Sequence, residues 1–305
     1  MLDPVYEGDL TLQKPVIITS HAPHSERDIQ RRIPAGAINF ISVQHTMALC
    51  WLTGDGSVQT RYLTGPQGFI TATGTGRQLT ISLSGKEHLP HLLTGDSVGG
   101  MLLDCSGQRR LRLSGIVQNI DQSRLVINIE NAATNRSKYV QTHSVEPGPE
   151  PDGLPYFETG TFLDNGISRW IKKADTFFVI SQQSCKTTRV PRTCMSHRGG
   201  ESGFVKLDRQ RLTIPDYPGN EPTGTLDNYQ ANPLGTLLFT DFGGNQQLQL
   251  HGAVSLDLEP SQQVQDLNAQ DRKEQDETST GPVWHFDVAT WTIEPLAFPL
   301  QNGVS

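Results

Sequence analysis

Two stretches of this 305-residue chain carry one ordered pattern about 135 residues apart, and that repetition limits the fold more than any single motif. Gly65, Gly68 and Phe69 return as Gly200, Gly203 and Phe204, and Leu79-Thr80-Ile81 returns as Leu212-Thr213-Ile214. Asp104, Gly107, Leu111, Leu113, Gly115 and Val117 return as Asp241, Gly244, Leu248, Leu250, Gly252 and Val254. The offset drifts only between 133 and 137 residues, as short loop insertions would cause. Solenoid repeats are far shorter, so a period of this length predicts a duplicated domain. The expected divisions are an N-terminal arm over 1–35, a first module over 36–143, a linker over 144–154 and a second module over 155–305.

Both copies read as strands. Thr46 to Leu52 is an apolar run, Thr53 to Ser57 a turn, and Val58 to Leu63 alternates as a half-buried strand does. From Ile38 onward the pattern is expected to be extended. In the second copy, Thr176 to Ser181 is a buried strand preceded by the end of a short helix over Ser168 to Ala174. Leu212 to Ile214 is a strand stopped by Pro215, and Leu237 to Thr240 enters a hairpin closed by Gly243-Gly244. Val145 to Gly153, rich in proline and acidic residues, reads as an extended solvated linker. The Gln/Asp/Glu-rich run from Ser261 to Gly281 reads as a surface loop. Trp284 and Trp291 are expected in the core or at an interface.

The copies differ where chemistry is expected. The second has Ser196-His197-Arg198 where the first has Arg61-Tyr62-Leu63, and Asp216-Tyr217-Pro218-Gly219-Asn220 where the first has Leu83-Ser84-Gly85-Lys86. Asn220 to Asn228 is rich in hydroxyl and amide groups and can open a helix with Thr223 or Thr225 as its cap. Backbone N–H groups at a helix start favour an anion such as phosphate. Arg198, Asn220, Thr223 and Thr225 are the candidate phosphate ligands, and His197 and Arg198, adjacent in a strand, should face opposite ways.

Ser-His-Arg-Gly-Gly, Gly-Phe-Val, Asp-Tyr-Pro-Gly-Asn, Thr-Leu-x-Asn and Ala-Asn-Pro, in this order between Ala174 and Val254, resemble the pyridoxamine 5′-phosphate oxidase-like flavoproteins. The resemblance implies a mainly β fold of tandem FMN-binding split β-barrels with short helices. It implies FMN as cofactor, with Ser196, His197, Arg198 and Gly199 on a strand beside the flavin, Tyr217, Asn220 and Thr225 around its phosphate, and Gln247 in contact with the flavin. Asn135, Lys138, Tyr139, Val140 and Gln141 match the piece that closes the first module in that family. One departure stands out: many members follow Pro-Gly-Asn with arginine, whereas this chain has Glu221-Pro222, so Lys206, Arg189 or Arg192 would have to supply the charge. The segment Trp291 to Pro295 lacks the arginine of vitamin B6 oxidases, which argues against that substrate.

The implied activity is an oxidoreductase on an unidentified small molecule, with flavin doing the electron transfer and no catalytic side chain identified. The alternatives are a non-catalytic binder of flavin, haem or deazaflavin, or a structural pseudo-dimer that captures a protein partner. With 25 basic and 32 acidic residues the net charge is −7, which argues against nucleic acid as partner. No apolar run is long enough to span a membrane and the N-terminus does not read as a signal peptide, so a cytoplasmic protein is expected. Two such chains can pair as a homodimer. His21-x-x-His24 and His88-x-x-His91 are each interrupted by a proline, Pro23 and Pro90, that prevents a helix from aligning the pair, and no carboxylate or thiol spacing completes a site, so no metal is expected. The four cysteines are expected reduced, with a Cys185–Cys194 bridge as the alternative.

Overall fold

The computed structural model describes residues 30–104, 109–136, 145–149, 157–183, 192–217, 224–257 and 283–302. The first copy runs α1 (Ala35–Ser42), β1 (Thr46–Leu52), β2 (Val58–Thr64), β3 (Ile70–Ala72), β4 (Gln78–Ser82), β5 (Ser97–Asp104), β6 (Arg109–Ile120) and β7 (Arg124–Arg136). Then come β8 (Val145–Pro147) and β9 (Glu158–Gly160). The second copy runs α2 (Asn165–Lys173), β10 (Thr176–Gln183), β11 (Arg192–Gly199), β12 (Lys206–Asp208), β13 (Arg211–Pro215), α3 (Thr225–Ala231), β14 (Leu234–Asp241), β15 (Gln246–Asp257) and β16 (Val283–Pro295), and β17 (Leu300–Asn302) comes last.

The fold is mainly β, two split barrels in tandem. One sheet has the order β2-β1-β5-β6-β7-β4-β3 and the other β11-β10-β14-β15-β16-β13-β12, with β9 added beside β16. These are the same path, strand for strand, and every pairing within them is antiparallel. Alternation fixes what each face does, because successive side chains in a strand point to opposite sides. Leu111 and Leu113 turn into the first barrel core with Leu49, Ile81 and Ile127, and Leu248 and Leu250 turn into the second with Phe177, Val179, Trp284 and Trp291.

A third apolar cluster lies between the copies: Ala48, Cys50, Tyr62, Met101 and Leu103 of the first meet Phe178, Ile180, Met195, Leu238 and Leu296, which come after the linker. The contacts are reciprocal, β11 packing on β5 as β2 packs on β14. Such exchange of equivalent surfaces marks a two-fold interface, here built within one chain. Thr193 Oγ1 reaches the carbonyl of Cys50 across it, and burial there pushes the Cys50 thiol up to about 12. Cys194 keeps its thiol, which donates to Gln183 Oε1, while Cys185 lies outside the described residues.

Three expectations need correction. The stretch from Ile38 is not extended: Ala35–Ser42 is helical, started by Pro34 at φ −57° and held by Ala37, Phe40 and Ile41 on one buried face. Part of the expected linker is paired, since β8 bonds to β17 in a two-stranded ribbon. Thr225 does not cap α3: Gly224, at φ 60°, holds the cap position and Thr225 is the first helical residue, while Thr223 lies outside the described residues. The short helix before β10 does form, and Asp164 caps it by accepting from the Ile167 N–H. The arm over 1–29, Lys138 to Gln141, Asn220 to Pro222, Arg189 and the 261–281 segment also fall outside. No helix among the described residues is long and apolar enough to cross a membrane.

Candidate functional site

The strand β11 carries Ser196-His197-Arg198-Gly199, and its register divides them. Phe177 pairs with Arg198, Phe178 with His197 and Val179 with Ser196. Partners across an antiparallel pair share a face. Phe177 and Val179 belong to the second barrel core, whereas Phe178 belongs to the cluster between the copies. Ser196 and Arg198 therefore look toward their own barrel, and His197 looks toward the first copy.

On the barrel face the expected residues do meet. The Ser196 and Thr225 hydroxyls are 3.1 Å apart, and Arg198 Nη1 donates to Ser196 Oγ at 3.4 Å and to the His197 carbonyl at 3.1 Å. Arg198 is 2 % exposed, and its Nε lies 3.0 Å from Asp216 Oδ1. That contact is an attraction of charges rather than an aligned hydrogen bond, because Nε has no acceptor in line. Tyr217 stands farther out, its ring 6.5 Å from that of Phe204.

Gln247 is not part of this group. Its Oε1 accepts from the Tyr62 N–H at 2.8 Å, which places it against the first copy's β2. The neighbouring Arg61 is 4 % exposed and fully engaged. Its Nε is 2.7 Å from the His88 carbonyl and 2.8 Å from Glu294 Oε2, its Nη2 is 2.9 Å from Glu294 Oε1, and its Nη1 reaches the Thr60 carbonyl and Gln249 Oε1. A cavity of about 300 Å³ adjoins them, lined in part by Tyr62, His88, Gln247 and Glu294. A larger cleft of about 1210 Å³ opens between the copies, with the equivalent pairs Thr46/Thr176 and Asp104/Asp241 on its walls. None of the described candidates from β11 or α3 lines either space.

On the interface face, His197 is 1 % exposed; Nε2 is 3.0 Å from Thr176 Oγ1 and the ring meets the edge of Phe178. Burial, reinforced by the charges of Arg110 and Arg198, pushes its pKa down to about 3. The imidazole is neutral at any ordinary pH. Arg110, buried on β6, is a residue that sequence reasoning missed, as is Arg112 two residues on. A signal does exist: Arg110-Leu111-Arg112-Leu113 alternates as Gln247-Leu248-Gln249-Leu250 does, so both arginines face the other copy as both glutamines do.

A pH dependence results. Because the folded-state pKa of His197 lies below its unfolded value, the unfolded chain takes up the proton first as pH falls, and stability is lost from about pH 6.5 downward. The loss from this residue approaches about 1.4 kcal/mol per pH unit until the folded value of about 3 is reached. His251, also lowered by burial and by Arg61, acts in the same direction. Urea midpoints of wild type and His197→Asn between pH 4 and 7 isolate the effect: the variant's acid slope should be shallower, and parallel slopes would refute it.

No protein-family model matches the chain, and no curated protein does. Among solved structures, a putative 5-nitroimidazole antibiotic resistance protein from Bacteroides thetaiotaomicron matches at 16 % identity, covering 49 % of this chain and 97 % of that one, with a TM-score of 0.30. A putative pyridoxamine 5′-phosphate oxidase from Lactobacillus delbrueckii matches at 11 % identity over 43 % of this chain and 93 % of that one, TM-score 0.30. An FAD-binding protein from Mesorhizobium loti matches at 9 % identity over 45 % and 97 %, TM-score 0.28. At such scores these likenesses carry no functional argument.

Proposed function

We propose that the chain is a flavin-binding protein that holds FMN on its second copy and serves as an oxidoreductase on a small molecule. The observation that carries this reading is the placement of β11: the strand with the flavoprotein-like Ser-His-Arg-Gly is buried between the copies, with hydroxyls and a guanidinium on one face and a neutral imidazole on the other. The flavin, when bound, supplies the electron transfer, so few acid–base side chains are needed and the protein contributes position and electrostatics.

The two faces fit different parts of such a ligand. Asp216 already balances Arg198, so the barrel face has no surplus positive charge for a phosphate. Its Ser196 and Thr225 hydroxyls suit uncharged polar atoms. On the interface face the imidazole of His197 is neutral. His197 there offers a hydrogen-bonding ring that does not change charge during a reaction.

Titration of the purified full chain with FMN, followed by flavin absorbance and fluorescence, tests the reading. A saturable spectral change is expected, weakened in Ser196→Ala, which removes the hydroxyl without adding bulk at this buried position. No perturbation by FMN, FAD or a deazaflavin would overturn it.

A further inference from the structure

The cleft of about 1210 Å³ lies where the two copies meet, since equivalent threonines and aspartates of both stand on its walls. Small-molecule sites commonly span roughly 300–1,000 Å³, so this one has room for more than a single amino acid. Helix α2 forms one side. Ile167 and Ile171 hold it to the second core, while Arg169, Trp170 and Lys173 line the cleft, the two cations four residues apart and therefore on one face.

The fold does not require those cations. Counting from the equivalent Thr46 and Thr176, the first copy has Asn39 of α1 where α2 has Arg169, and the cap residue Val43 where α2 has Lys173. Phe40 and Ile41, by contrast, match Trp170 and Ile171 in kind, as packing positions should. The carboxylates come from elsewhere: Glu146 on β8, Glu158 on β9 and Asp241 at the end of β14 line the same space. Three further aspartates on its walls are engaged within the chain, Asp104 with Arg109, Asp164 as the cap of α2, and Asp175. Glu146, Glu158 and Asp241 form no ion pair among the described residues, and neither do Arg169 and Lys173. Two cations and three carboxylates thus share one space without closing on one another. The same walls carry Leu103, Ile293 and the rings of Tyr62 and Phe242, which stand 6.0 Å apart.

We infer that this cleft binds a zwitterion with an apolar body, a short peptide or an aromatic amino acid, whose carboxylate meets Arg169 and Lys173 and whose ammonium meets the carboxylates on the strands. A guanidinium suits a carboxylate through paired N–H donors, and an ammonium offers three donors to acceptors that come from different strands. An ion of one sign would answer only one of the two sets. Because α1 lacks the cations of α2, the cleft takes one ligand in one orientation, although the fold repeats. The inference stands apart from the flavin reading.

Titration of the full chain with the tripeptide Ala-Phe-Ala and, separately, with phenylalanine tests it, each with free and with blocked ends. Trp170 is the half-buried indole on the wall, whereas Trp51, Trp284 and Trp291 are buried, so its fluorescence reads occupancy beside calorimetry. One equivalent of at least one free compound should bind, and which of the two binds separates the peptide from the single amino acid. N-acetylation and C-amidation should each weaken it by about fivefold, the scale of a solvated ion pair. Arg169→Gln/Lys173→Gln, at exposed positions, should erase the preference for the free over the amidated end, and Glu158→Gln should reduce the preference for the free over the acetylated end. Binding of neither compound would overturn the inference. So would blocked forms that bind as well as the free ones, or variants that weaken free and blocked forms alike.

Discussion

Glu294→Ala is expected to destabilise the protein by about 3–5 kcal/mol, the usual cost of removing one partner from a buried ion pair. Arg61 and Glu294 are each 4 % exposed, and the guanidinium holds both carboxylate oxygens within 2.9 Å. Burial works to lower the Arg61 pKa and the Glu294 charge works to raise it. Deleting the carboxylate leaves only the burial. The guanidinium cannot escape to water, since Gln249 and the Thr60 and His88 carbonyls hold its other donors. Glu294→Gln keeps an acceptor but not the charge and should fall between. The double variant Arg61→Met/Glu294→Leu should lose far less than Glu294→Ala, because apolar replacement removes both charges together. Urea midpoints with unchanged m-values read all three. If Glu294→Ala and Arg61→Met were each nearly silent and simply additive, the pair would not hold the copies together.

How far the sequence foretold this molecule can be seen at particular residues. The repeat was legible because it is carried by positions the fold constrains: Gly65 and Gly200, where any added Cβ would press on Phe69 and Phe204, and the leucines that alternate into each core. The opposed faces of His197 and Arg198 were legible from strand geometry alone. α1 was not, because eight residues give barely two turns of helical period, and Ala-Gly-Ala-Ile-Asn-Phe-Ile-Ser scans equally as a strand. The place of Gln247 was hidden for a different reason. An internal repeat says which residues are equivalent but not which copy each one faces, and in a two-fold pair the facing residue comes from the other copy. The same reasoning explains why Arg110 and Arg112 were not legible. Arg110 lies nearly ninety residues from His197 in sequence and acts on it only when the copies dock.

Gly252→Ala should cost about 3 kcal/mol, at the upper end of what overpacking does. The ladder between β15 and β16 shifts register between His251 and Gly252, and a Cβ on Gly252 would run into the Asp287 carbonyl oxygen, a backbone atom with nowhere to go. Gly115 repeats the arrangement: β6 and β7 shift between Ser114 and Gly115, and a Cβ there would run into the Asn128 carbonyl oxygen. A glycine inside a strand commonly marks such a bulge or close approach. Gly115→Ala should therefore destabilise by a similar amount, whereas Gly54→Ala, with nothing within 4 Å of the added carbon, should be nearly neutral. The two bulge variants should differ in how they couple to the Arg61–Glu294 pair. Gly252 sits on the strand that presents Gln247 to the Tyr62 N–H and Gln249 to Arg61, so its variant should loosen these contacts between the copies and couple with Glu294→Gln in a double-mutant cycle. Gly115 sits on β6 of the first copy, and its variant should combine additively with Glu294→Gln. Equal coupling of both variants to Glu294→Gln would mean that the effect of Gly252→Ala does not run through Gln249 and its bond to Arg61.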